Sequence, residues 1–220
     1  MKKENDKQII PKPAIVRLST LSVLLENLEE EGNNKISSAE IGKLLGVPSH
    51  TIRKDISFLQ NVGTGSGYNI SNLKNTIAEH LGFNKYKKAC IVGMGRLGSV
   101  ITTKNGFYSK EYSVVAGFDI NPSKLINRLP HTPLYPMSKL QDIITKEGIK
   151  IGIITVPQNS ATKVAYDLIA CGIKGIINFS PVLIEINRDD VFIRNLFFAG
   201  EFNILSALIS QYEKKQTLGE

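Results

Sequence analysis

The chain has 220 residues and 42% hydrophobic content, enough for one large domain or two modest ones of ordinary globular composition. No stretch approaches the roughly 18 apolar residues of a membrane span, and the opening MKKENDKQIIPKP has basic residues but no apolar segment, so it does not read as a secretory signal. The formal charge of +7 suits a partner with phosphates, yet residues 1–84 hold nearly as many acids as bases, so particular positions must carry any nucleic-acid claim.

Residues 1–12 are expected to form a flexible arm. A helix then begins near Pro13, where proline suits the first turn, and Leu18, Leu21, Leu25 and Leu28 recur at helical spacing until Gly32 and two asparagines end it. Ser37 followed by Glu40 is a capping box that opens a second helix. Gly46, Val47 and Pro48 make a tight turn, and a third helix starts around Ser49. Ile52, Ile56 and Leu59 share its buried face, which turns His50, Arg53, Lys54 and Ser57 outward.

Helix, glycine-containing turn and a second helix with a cationic face are the pattern of a DNA-binding helix-turn-helix, although a small helical bundle with a solvated face has the same pattern. The following GTGSGYNI favours the first reading. Its glycines and Tyr68 predict a short β-ribbon, a wing able to set backbone N–H groups and a flat side chain against DNA. The stretch LKNTIAEHLG is a further helix, leading to a polar linker near residues 84–88. Residues 13–84 are thus expected to form a winged-helix domain.

From residue 85 to 195, helix and strand patterns alternate, which implies a parallel sheet with helices on both faces. Strands are expected at ACIVG, SVVAGFD, PLY, IGIITV, GIINF and DVFIR. The segment ACIVGMGRLGSV is a strand, a glycine-rich turn and a helix start, and SVVAGFD ends on Asp119. Each part has its own job in holding a dinucleotide. Gly93 permits the tight turn, Gly95 lets backbone approach a pyrophosphate, and Gly98 lets the helix pack on the sheet. The helix N-terminus offers free N–H groups to phosphates, and Asp119 stands where an acid accepts hydrogen bonds from a ribose.

Cys90 and Cys171 belong to no Cys-x-x-Cys motif or Cys/His cluster. They read as free thiols in a reducing cytoplasm, with neither a metal site nor a disulfide framework expected. The last stretch, residues 196–220, is an apolar helix too rich in Phe, Leu and Ile for the surface of a monomer. It is expected to dock on a partner subunit, with packing on its own domain as the alternative.

The ordered set IPKPAIVRL, ISSAEIGKLLGV, TIRKDISF, GYNI, IVGMGRLGS, GFDI, ITVP and NFSPV resembles the redox-sensing transcriptional repressor family called Rex, over essentially the whole chain after the arm. The resemblance implies a cytoplasmic homodimer that binds double-stranded palindromic operator DNA through winged helices and NAD(H) through Rossmann-type domains. A domain-swapped C-terminal helix would join the subunits, and NADH would favour release from DNA. It assigns Gly93, Met94, Gly95, Arg96, Leu97 and Gly98 to the pyrophosphate loop and Asp119 to the adenosine ribose. Thr155, Val156 and Pro157 would border the cofactor, with Asn178, Phe179, Ser180 and Pro181 near its far end. On the DNA side it assigns Ser49, His50, Thr51, Arg53, Lys54 and Ser57, with Gly67 and Tyr68 at the wing tip.

Three further positions fall where the family couples cofactor state to dimer geometry. The family's arginine is matched by Arg17, whereas its tyrosine falls on Lys104 and its aspartate on Phe197, or on Asn195 in a shifted register. These changes motivate a second expectation, a regulator with a weakened redox response or another ligand such as an adenine nucleotide or an acyl-CoA. The rival from another class is a small NAD-dependent oxidoreductase or a CoA-binding enzyme subunit. Against it, the α/β part leaves little chain for a substrate domain and has His131 as its only histidine, with no paired carboxylates or Tyr-x-x-x-Lys arrangement.

Overall fold

A computed structural model describes residues 9–60, 62–63, 67–85, 87–103, 112–124 and 132–218. Most of the expected arm, the middle of the GTGSG stretch, Lys104 and His131 lie outside the described residues. The chain divides into two compact units, residues 1–85 and 86–220.

The first unit is built on α1 (Lys12–Glu30), α2 (Ser38–Leu45), α3 (Ser49–Ser57) and α4 (Ile70–Leu81). The apolar stripe of α1 buries Leu18, Leu21 and Leu25 against Ile41, Ile52, Ile56, Leu73 and Ile77. Helix α2 starts as its sequence dictates: the Glu40 N–H donates to Ser37 Oγ at 3.2 Å and the Ser37 N–H to Glu40 Oε2 at 2.7 Å. Gly46, in the left-handed region at φ 66°, ends it. A glycine inside α2 matters as much, because a Cβ at Gly42 would lie 2.5 Å from the Val47 carbonyl oxygen. The tight turn between α2 and α3 therefore closes onto a helix face that has no side chain.

The wing departs from expectation. Among the described residues, its last ones do not pair within GTGSGYNI. Instead β2 (Tyr68–Asn69) pairs antiparallel with β1 (Lys35–Ile36), the two residues before α2. Asn69 then caps α4 by accepting the Asn72 N–H at 2.8 Å, so the helix begins three residues earlier than the LKNTIAEHL pattern predicts.

The second unit holds β3 (Lys87–Val92), β4 (Tyr112–Asp119), β5 (Leu134–Pro136), β6 (Ile151–Ile154), β7 (Gly175–Asn178) and β8 (Phe192–Asn195) in one six-stranded sheet. All neighbours pair parallel, in the order β5-β4-β3-β6-β7-β8. Numbered from its own first strand, this is the doubly wound order 3-2-1-4-5-6. The order reverses between β3 and β6, and ligands of open α/β sheets bind in the crevice beyond such a reversal. Each expected strand is present. The continuous apolar run of β3 is explained by its central place, with Cys90 and Val92 in one core and Ala89 and Ile91 in the other.

Helices α6 (Leu140–Glu147) and α7 (Gln158–Ala170) cover the face that contains Cys90, burying Leu140, Ile144, Ala161, Val164 and Leu168. Helix α5 (Arg96–Ile101) places Ile101 on the other. Between β7 and β8 a loop replaces the usual crossover helix and buries Ile184 and Val191. Helix α8 (Phe198–Leu218) lies differently. Its apolar residues Phe198, Phe202, Leu205, Ile209 and Tyr212 repeat at alternating spacings of four and three, and all are exposed, Phe202 by 73%. These side chains do not pack on their own domain, which is the alternative to the expected docking on a partner.

Candidate functional site

The glycine-rich loop sits between the ends of β3 and β6, at the reversal of strand order. Its glycines are required for separate reasons. Gly93 has φ 98°, and a Cβ on it would meet Val156 Cγ1 at 2.8 Å and the Thr155 carbonyl group at 2.9 Å. A Cβ on Gly98 would lie 2.2 Å from the Gly93 carbonyl oxygen. Gly95 has neither constraint: its φ is −68° and a Cβ there would meet no protein atom within 4 Å. The fold does not demand this glycine, whereas a pyrophosphate lying against the backbone would. Gly95 also caps α5 without a side-chain bond, and the first N–H groups of a helix have no partner within it.

Asp119 ends β4 beside this loop. Its Oδ2 accepts the Met94 N–H and its Oδ1 the Asn121 N–H, each at 2.9 Å. Both oxygens keep lone pairs to spare, and the acid fixes the loop. Arg96, Leu97 and Pro157 are exposed at the same end of the sheet.

Other residues assigned to the cleft turn out to hold it together. Met94 is fully buried, and its sulfur fills the space that a Cβ on Gly117 would enter, so its side chain belongs to the core and not to the ligand. Thr155 Oγ1 donates to the Gly93 carbonyl at 2.6 Å. Val156 packs into the core below. Asn178, also fully buried, donates through Nδ2 to the Val182 carbonyl and to Asn195 Oδ1, both at 2.8 Å, and accepts the Ser180 N–H at 2.9 Å. Ser180 Oγ donates to the Val156 carbonyl, clasping the two loops. Phe179 is half-buried against the second core and Pro181 is exposed.

In the first unit α3 presents His50, Arg53, Lys54 and Ser57 on its exposed face, with Ser49 and Thr51 half-buried at its start. Arg53 Nη1 donates to Ser38 Oγ at 3.1 Å and to Ser49 Oγ at 3.3 Å. Ser57 differs from expectation, because its hydroxyl donates to the Lys54 carbonyl at 2.7 Å and is not presented as a free donor. Tyr68 requires correction. It is 9% exposed and packs in the helical core, so it offers no flat surface to DNA, while Gly67, at φ 114°, is half-exposed.

Arg17 has its partner in the same unit. Its Nε and Nη2 donate to Asp55 Oδ2 and Oδ1 at 2.6 and 2.8 Å, a bidentate pair between α1 and the inner face of α3. The Asp55 hydrogen bond holds the guanidinium above its ordinary value. Arg17 is thus engaged inside its own unit. Sequence reading passed over Asp55 because it counted α3's apolar and outward positions and not the acid between them. Phe197 is 38% exposed and brings no carboxylate, while Asn195 is turned into the Asn178 network, accepting the Ile184 N–H at 3.1 Å. Among the described residues no group of His, Cys, Asp and Glu could hold a metal ion, and no helix is long and apolar enough to cross a membrane.

A family profile described as a CoA binding domain matches residues 84–182, and one for a DNA-binding protein N-terminus matches residues 9–57. The chain is 34% identical to the redox-sensing transcriptional repressor Rex of Carboxydothermus hydrogenoformans, over 90% of this chain and 95% of that one. It is 35% identical to Rex of Thermus thermophilus, over 96% and 99%. Its structure is similar to that of RSP, a Rex-family repressor, with TM-score 0.84 and 29% identity over 95% of this chain and 99% of RSP. RSP bound to β-NADH matches at TM-score 0.82, and RSP bound to β-NAD+ and operator DNA at 0.80. On these grounds, reaching the whole length from the helix-turn-helix to the end of the sheet, the chain belongs to the Rex family of redox-sensing transcriptional repressors.

Proposed function

We propose that this chain is a cytoplasmic, non-enzymatic repressor that reads a palindromic operator as a homodimer and is released from it by NADH. The observation that carries the reading is the glycine loop with Asp119: Gly95 is a glycine the protein's own packing does not need, lying beside a carboxylate with lone pairs to spare. The Rex-family structure RSP binds NADH, and binds NAD+ together with operator DNA, at the same fold. The cleft residues Gly93, Gly95, Arg96, Leu97 and Gly98 would hold the pyrophosphate and Asp119 the ribose. Ile120 and Asn121 follow the acid without an arginine, which favours NAD(H) over NADP(H), since a 2′-phosphate would meet like charge. His50, Arg53, Lys54 and the backbone at Gly67 would face DNA.

The homodimer is supported by α8, whose apolar stripe is exposed along its whole length and needs a partner of matching shape. A two-fold pair of heads also doubles a recognition site that one short helix-turn-helix leaves small. A second reading, a muted response to the NADH/NAD+ ratio, is favoured by Phe197 and by the engagement of Arg17 with Asp55. Calorimetry with NADH, NAD+, NADPH, ATP and CoA tests the ligand. NADH is expected to bind in preference to NADPH, with affinity falling roughly tenfold to a hundredfold in Asp119→Ala, as losing a charged hydrogen bond implies. Equal affinity for NADH and NADPH, or preference for CoA, would contradict the assignment.

A further inference from the structure

The first unit holds two arginines in opposite ways, and the contrast bears on two serines of the helix-turn-helix. Arg17 is matched by a carboxylate that neutralises it and draws it inward. Arg53 is exposed and is held by two hydroxyls, Ser38 at the first position of α2 and Ser49 at the first position of α3. A neutral hydroxyl fixes the direction of a guanidinium without cancelling its charge. Because the two serines lie on either side of the α2–α3 turn, they hold the side chain across the helix-turn-helix instead of leaving it to sweep through solvent.

We propose that Ser38 and Ser49 are positioning residues that preset Arg53 to read a guanine edge, which makes them specificity determinants of the DNA recognition put forward above, on which this inference rests. Of the five guanidinium donors, the two hydrogens on Nη1 face the serines. Nε–H and the Nη2 hydrogens remain, and the Nε/Nη2 edge is a fork of two parallel donors. Such a fork matches the O6 and N7 acceptors of guanine. A phosphate contact needs only a nearby positive charge and tolerates a mobile side chain. Lys54, exposed and with no side-chain partner among the described residues, is built for that task. Fixing a side chain in advance reduces the ordering that binding must impose, and directional readout gains most from it.

The test uses the full-length protein and a duplex that the wild-type chain selects from a randomised pool. Fluorescence anisotropy would compare wild type, Ser38→Ala, Ser38→Ala/Ser49→Ala, Ser38→Thr/Ser49→Thr and Arg53→Gln on that duplex, on versions with each guanine of a half-site replaced, and on a scrambled duplex, over a range of salt. The double alanine variant is expected to lose about tenfold in discrimination at one base pair, the pair at which Arg53→Gln also loses it. Ser38→Ala alone should show part of this loss while its scrambled-duplex affinity, salt dependence and thermal midpoint stay at wild-type values, and the threonine pair should restore discrimination. Two results would overturn the proposal. One is unchanged discrimination in the double alanine variant. The other is a loss uniform across sequences, with Arg53→Gln lowering the salt slope by about one, which would make Arg53 a phosphate contact. A wild-type chain that selects no motif at all would instead sink the DNA-reading function itself.

Discussion

The two units use their sequence in contrasting ways. In the head, α3 leaves polar and cationic side chains exposed, and the core beneath is a separate set of apolar residues. In the second unit, the candidate site is shaped by missing side chains and by backbone, and Thr155, Asn178 and Ser180 beside it are engaged in holding loops together. The difference teaches where mutations separate stability from binding. An outward residue of α3 should be removable at little structural cost, whereas Gly93, Met94 and Gly98 of the glycine loop should not be.

The largest effect should come from the loop. Gly98→Ala would force a Cβ to within 2.2 Å of the Gly93 carbonyl oxygen. It is expected to abolish NADH binding in calorimetry and to destabilise the second unit by about 3 kcal/mol, as overpacking does. Because the defect lies in one unit, DNA binding by the head should survive. Simultaneous loss of both activities would break the contrast.

Next in size is the pair beneath the recognition helix. Arg17→Met would strand Asp55, whose side chain is 4% exposed, while Arg17 itself is 28% exposed. Removing one partner of a buried pair costs about 3–5 kcal/mol, and the partial exposure of Arg17 places this case near the lower end, at about 3 kcal/mol. Denaturant melts would check it. DNA binding should fall with stability while NADH binding is retained, the reverse of the loop variant. Retention of DNA binding with loss of NADH response would instead mark Arg17 as a coupling residue.

The smallest effect concerns Cys90. Burial pushes its thiol up to about 12 from an ordinary value of 9.0. A group whose folded value is raised adds stability that is complete below the unfolded value and is lost as pH climbs from about 9 towards 12. At pH 8 the native protein should therefore leave Cys90 unlabelled by a thiol reagent, with reaction appearing only on unfolding. Rapid native labelling would mean that the central strand opens far more readily than its buried position implies.

Much of this architecture was legible in the sequence. The capping box at Ser37 and Glu40, the apolar stripe of α1 and the six strands depend on local chemistry and periodicity, which a sequence displays directly. The wing did not, because the partner of Tyr68 and Asn69 is Lys35 and Ile36, more than thirty residues away, and no local pattern announces it. The same reason hid Tyr68's burial and the Arg17–Asp55 pair. At the cleft, motif letters located the loop correctly but could not say which residues meet ligand. Only the packing distinguishes Gly95, which the fold does not need, from Met94 and Asn178, which it buries.

The most direct measurement of the central account is anisotropy of the chain bound to its selected palindromic duplex, titrated with NADH and separately with NAD+. Release by NADH at concentrations where NAD+ leaves the complex intact is the predicted result. A complex indifferent to both dinucleotides, formed by protein that calorimetry shows to bind NADH, would contradict it.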